Sequence, residues 1–111
     1  MNTRKINKQI AFLKAFRDMN QDMNLTMVIS FLELAKDQGI TGRDLEAALD
    51  IPSATAARTL RLFDKQQSNG KPGYDMVEAR LDPTDYRNKL RHLNAKGKAF
   101  LAELDDILSD Q

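Results

Sequence analysis

Four cationic side chains and two hydroxyls in this chain are spaced as a surface for a polyanion would need them. Arg58 and Arg61 stand three apart in a segment where Ala56, Leu60 and Phe63 recur at i, i+4 and i+7. That period turns the apolar side chains to a core and leaves Ser53, Ala57, Arg58 and Arg61 on the opposite side. A guanidinium at Arg58 or Arg61 can make a bidentate contact to a guanine edge or a phosphate. Ser53 or Thr55, at the start of the same segment, can bind a phosphate through hydroxyl and amide groups. Arg87 and Lys89 share one face of an extended stretch, so both can follow a phosphate backbone or a narrow, electronegative groove. Asp85 can hold the Arg87 guanidinium by a charge-assisted bond, and a plain role in a hairpin tip fits it equally well.

Other chemistries find little support. His92 is the one histidine and there is no cysteine, which excludes a multi-histidine centre, a thiolate metal site and a disulfide framework. Asp75, Asp82 and Asp85 resemble a cation cluster, but aspartates at such positions usually serve turns. No Ser-His-Asp spacing, glycine-rich phosphate loop or catalytic carboxylate pair is present. We therefore expect no enzyme, no cofactor and no metal. Met19, Met23 and Met27 are expected to fill irregular gaps between helices.

The formal net charge of +1 conceals a strong segregation along the 111 residues. Residues 1–18 carry net +4, 19–52 net −4, 53–98 net +5 and 99–111 net −4. Because the local field draws phosphates, the third block suggests a polyanion-facing surface, although a solvated basic face has the same signature. With 41% hydrophobic and 30% charged residues, 5 glycines and 3 prolines, the chain fits one globular domain. Its longest apolar runs stop far short of the ~20 residues that a membrane-spanning helix needs. Lys14, Arg17 and Asp18 interrupt any leader-like apolar run after Arg4, Lys5 and Lys8, so a cytoplasmic, unprocessed chain is expected.

These side chains need elements to position them. Residues 4–19 form a wide apolar stripe between basic residues, and 25–35 are apolar nearly all round, as befits a central helix capped by Asn24. Gly39 is a helix stop, and the link through Thr41 leaves room for two or three extended residues. Thr41 and Asp44 cap a helix ending near 50, Pro52 breaks it, and Ser53 is expected to cap a helix over 54–67. Two short helices joined by a tight turn, the second basic and small on its outer face, suit entry into a DNA major groove. An ordinary helical hairpin fits the same pattern. Residues 68–73 are rich in turn formers, and 74–81 and 87–93 read as strands around a tip at 82–85, with Leu90 the clearest core position. Asn94 caps a last helix through 108, with Gly97, Phe100 or Leu101, Leu104 and Leu108 in an apolar seam.

Two stretches resemble the multiple-antibiotic-resistance regulator (MarR) family. DPTDYRNKLRHLNAKGKAFLAEL, residues 82–104, is similar to the family's hairpin and final-helix signature, D-x-x-D-x-R followed by L-T-x-x-G, through Asp82, Asp85, Arg87, Leu93 and Gly97. GITGRDLEAALDIPSATAARTLRLFDK, residues 39–65, is similar to the family's short first strand and helix-turn-helix, including Arg58 and Phe63. The resemblance implies a winged helix-turn-helix homodimer that binds near-palindromic duplex DNA and usually represses transcription. It places the helix at 54–67 in the major groove and Arg87 at the wing tip in the minor groove. Tyr86 replaces a second wing arginine, Asn94 replaces a capping threonine, and the loop over 66–73 is longer and more polar than the family's, so that either the wing is displaced or Lys71 adds a phosphate contact. The terminal helices are short, which puts a small-molecule effector site in doubt.

The expected fold is α+β, mainly α: a winged helix-turn-helix with a short three-stranded sheet and terminal dimerisation helices. It divides into an N-terminal helix at 1–20, the winged helix at 25–93 and a C-terminal helix at 94–111. The expected DNA-binding residues are Ser53, Thr55, Ala57, Arg58, Arg61, Lys71, Arg87 and Lys89. The apolar seams exceed what one small domain can cover, and they assign Ile6, Ile10, Leu13, Phe16, Phe100, Leu104 and Leu108 to a two-fold dimer interface. Double-stranded DNA and a second copy are thus the expected partners, with no membrane. A winged helix that binds another protein is the rival reading; loss of function on changing surface Met or Phe residues, with Arg58→Ala and Arg87→Ala silent, would favour it.

Overall fold

The computed structural model describes residues 1–36 and 39–109. Among these the chain forms five helices and one two-stranded antiparallel sheet: α1 (Thr3–Met19), α2 (Leu25–Ala35), α3 (Gly42–Leu49), α4 (Ser53–Leu62), β1 (Val77–Asp82), β2 (Asp85–Leu93) and α5 (Ala95–Leu108). Side chains set most of the helix starts. Asn2, Asn24 and Asn94 each accept a hydrogen bond from the amide three residues on, at 2.9 Å in every case. Thr41 and Asp44 form a reciprocal capping box.

The core is organised by aromatic rings. Phe16 meets Phe31 edge-on at 5.7 Å and Phe100 at 5.1 Å, Phe31 meets Phe100 at 5.2 Å, and Phe63 links Phe31 at 6.0 Å to Tyr74 at 5.5 Å. With Phe12 against Phe16, all five phenylalanines join one spine running from α1 through α2 and α5 to the end of α4. Leu34, Leu45, Leu60, Met76, Leu93 and Leu104 pack around it.

Four expectations need correction. The sheet has two strands, because Ile40 is extended for a single residue. It exchanges hydrogen bonds with Arg91 at 3.0 and 2.9 Å, between Gly39 at φ +74° and Thr41, which already caps α3. Ser53 caps nothing: Pro52, at ψ 150°, occupies the cap position, and Ser53 is the first helical residue. Leu90 is half-buried, whereas Leu93, paired with Val77 at the base of the hairpin, is the core residue of β2. Finally, α4 stops at Leu62 and not near Gln67. The returning chain takes its last carbonyls: Tyr74 donates to Leu62 at 2.7 Å, Met76 to Phe63 at 2.9 Å, Asp75 to Asp64 at 3.1 Å and Gly73 to Lys65 at 3.0 Å. This approach requires glycine at Gly73, where a Cβ would collide with the Asp64 carbonyl oxygen. Of the expected stop before Gly39, Asp37 and Gln38 lie outside the described residues.

Candidate nucleic-acid interface

Helix α4 buries Ala56, Thr59 and Leu60 and exposes Ser53, Ala54, Ala57, Arg58 and Arg61. Arg61 follows Ala57 and Ser53 by single turns, so the three form a row that opens into a groove of ≈ 670 Å³ between α4, the start of α3 and β2. Arg43, Arg87 and Lys89 line the other side of that groove. The fold therefore brings together five of the expected residues: Ser53, Ala57, Arg61, Arg87 and Lys89. Thr55 and Arg58 lie elsewhere, in a second cleft of ≈ 390 Å³ on the opposite flank of α4. Lys71 is exposed and lines neither.

The hairpin tip is built by its own aspartates. Asp82 accepts bonds from the Thr84 amide at 2.9 Å and hydroxyl at 2.7 Å, which closes the turn. Asp85 accepts from Arg87 three times, from Nε at 3.0 Å, Nη2 at 3.1 Å and the backbone amide at 3.1 Å. The guanidinium is thus oriented although the Arg87 side chain is 90% exposed. The Arg87 side chain, then its amide, hold the Asp85 carboxyl below the usual carboxylate range, and the field of Arg43 adds to this. Thr84 does the same for Asp82 through its hydroxyl and its amide.

Two features of the site escape the sequence. Arg43, in the first turn of α3, lines the groove beside the wing's Arg87 and Lys89; a base two residues after a capping threonine carries no sign of that placement. Arg91 donates to Asp64 through Nε and Nη2, both at 2.9 Å, and ties β2 to the segment just after α4. These partners are 27 residues apart and meet only because α4 ends early.

The residues assigned to a dimer interface divide in two. Ile6, Ile10, Leu13 and Leu108 are 44–49% exposed, whereas Phe16 and Leu104 are 1% exposed and Phe100 stands among the core rings. No helix among the described residues is long and apolar enough to cross a membrane, and no described group of three or more His, Cys, Asp or Glu is arranged to hold a metal ion.

A capped helix pair followed by an antiparallel hairpin with an arginine at its tip is a winged helix. More narrowly, the fold is similar to that of solved MarR-family transcription regulators. It is similar to the structure of RV1404 from Mycobacterium tuberculosis, with 13% identity and a TM-score of 0.69 over 90% of this chain and 63% of that one. It is similar to S. aureus MepR, solved in complex with DNA, with 20% identity and a TM-score of 0.66 over 91% and 73% of the two chains. A MarR transcriptional regulator from Methanosarcina mazei Go1 gives 21% identity and a TM-score of 0.64 over 94% and 68%. The chain spans about two thirds of the length of these proteins. No family model and no curated protein matches the sequence.

Proposed function

We propose that this protein is a sequence-specific, duplex-DNA-binding transcriptional regulator and not an enzyme. The observation that carries the reading is the convergence of Arg61, Arg43, Arg87 and Lys89 on one groove between α4 and the wing. In this reading Ser53, Ala57 and Arg61 of α4 enter the major groove, where small side chains let the helix approach the base edges and a guanidinium can pair with guanine. Arg87, pre-oriented by Asp85, reaches the adjacent minor groove, whose negative potential favours a guanidinium. The MarR-like fold supports repression from a near-palindromic site by a homodimer. The exposed Ile6, Ile10, Leu13 and Leu108 supply an apolar face for the second copy. Its placement would set two α4 helices about one DNA turn apart.

Selection of bound duplexes from a random-sequence pool, followed by light scattering of the complex, tests this reading. An enriched, two-fold-symmetric sequence bound by two chains is the expected result. Recovery of no preferred sequence, with equal weak affinity for all duplexes, refutes it.

A further inference from the structure

The chain between α4 and β1 is a second, smaller hairpin. Beyond the bonds that end α4, the Gln67 amide donates to the Lys71 carbonyl at 2.8 Å and that of Gly70 to Gln67 at 3.1 Å, and Gln66 bridges Pro72. Side chains brace the turn. Gln66 Nε2 donates to the Gly70 carbonyl at 3.0 Å, Gln67 Nε2 to the Pro72 carbonyl at 2.9 Å, and the Lys71 amide to Asn69 Oδ1 at 3.0 Å. A short polar segment so heavily bonded is preorganised, which lowers the ordering cost of any contact that it makes.

This ribbon forms one wall of the second cleft beside α4. Asn24 and Thr26 at the start of α2, Thr55 and Arg58 of α4, and Ser68 and Asn69 at the ribbon's turn surround it. Met27 and Leu62 give it an apolar floor, its rim offers hydroxyl and amide donors and one exposed guanidinium, and no acidic side chain lines it among the described residues. It lies on the flank of α4 away from the wing, so Arg58 and Arg61 face different spaces. Resting on the DNA-binding reading above, we infer that this cleft grips the phosphate backbone on the far side of the major groove from the wing. Arg58 is then a phosphate ligand and not a base reader, and the Ser68–Asn69 turn is a third DNA contact beside helix and wing. Uncharged donors and a single cation suit a phosphodiester, which presents acceptors in every sequence.

The test uses the full chain and a duplex of random sequence, with affinity measured across a salt series. Arg58→Gln should flatten the slope of log affinity against log salt by about one, as expected for one lost phosphate contact. Asn69→Asp, in an exposed turn, should weaken binding roughly tenfold by opposing a phosphate, whereas Gln9→Glu on α1, with the same change in net charge, should not. Circular dichroism confirms that each variant is folded. If wild type binds but Arg58→Gln keeps the full slope and Asn69→Asp the full affinity, the cleft is no phosphate site and the DNA-binding reading stands. If wild type binds no duplex, both are overturned.

Discussion

The Asp64–Arg91 pair can be separated from every other contribution to the fold by a double-mutant cycle. Both of its bonds are 2.9 Å long, and the side chains are 25% and 11% exposed. An exposed ion pair contributes about 0–1 kcal/mol, whereas removing one partner of a fully buried pair costs about 3–5 kcal/mol. The partial burial of this bidentate pair lies between those limits, so Asp64→Ala and Arg91→Ala should each lose about 2 kcal/mol. For a domain of this size that lowers the melting temperature by about 8 °C. The double variant should lose little more than either single one, because the second substitution removes a group already without its partner. Urea unfolding of the four proteins yields the coupling energy directly. Additivity to within about 0.5 kcal/mol would refute the argument and reduce the pair to a surface contact.

Gly97→Ala should destabilise the fold by about 2 kcal/mol, because a Cβ there collides with the Met76 carbonyl oxygen; Gly42→Ala, into open space, should be neutral or stabilise by up to about 1 kcal/mol, and thermal melts compare the two. Leu13→Glu should change the mass measured by light scattering and leave the fold intact, whereas Phe16→Ala should cost about 3–5 kcal/mol of stability. The wing tip should keep its order in acid. The folded Asp85 carboxyl titrates below its ordinary value of 3.8, so its bonds to Arg87 persist below that pH and fail only as pH falls through the lowered pKa. Amide shifts of Arg87 should therefore titrate with a midpoint below 3.8, and a midpoint at or above it would contradict the geometry. Arg61→Ala and Arg87→Ala should each weaken binding to a selected duplex by about 1–3 kcal/mol if they read bases, with a smaller loss on random DNA.

What could be read from the chain was local. Asn24, the Thr41 and Asp44 pair and Asn94 each act within three residues, so their capping is written in the sequence. The alternation of core and outer residues on α4 was equally plain, as was the tip at Asp82–Asp85. What was hidden depends on distant partners. Leu90 and Leu93 fall on opposite faces of the strand, Leu93 on the face of Arg87 and Lys89, and only the covering of the hairpin base by α2 and α5 makes Leu93 the buried one. The end of α4 is not legible locally, because Leu62, Phe63 and Asp64 have acceptable helix propensity and competition from the amides of residues 74–76 decides the outcome. The same event created the ribbon between α4 and β1.

The spine of rings has a thermodynamic consequence. Phe16 of α1 and Phe100 of α5 are as central to it as Phe31 and Phe63, and Asn20, at the end of α1, donates to the Tyr74 hydroxyl at 2.6 Å at the other extremity. The terminal helices are thus structural members of the wing-bearing unit and not detachable arms. Heat or denaturant should melt all three segments in a single cooperative transition, and an excised fragment of residues 25–93 should behave as an unfolded chain.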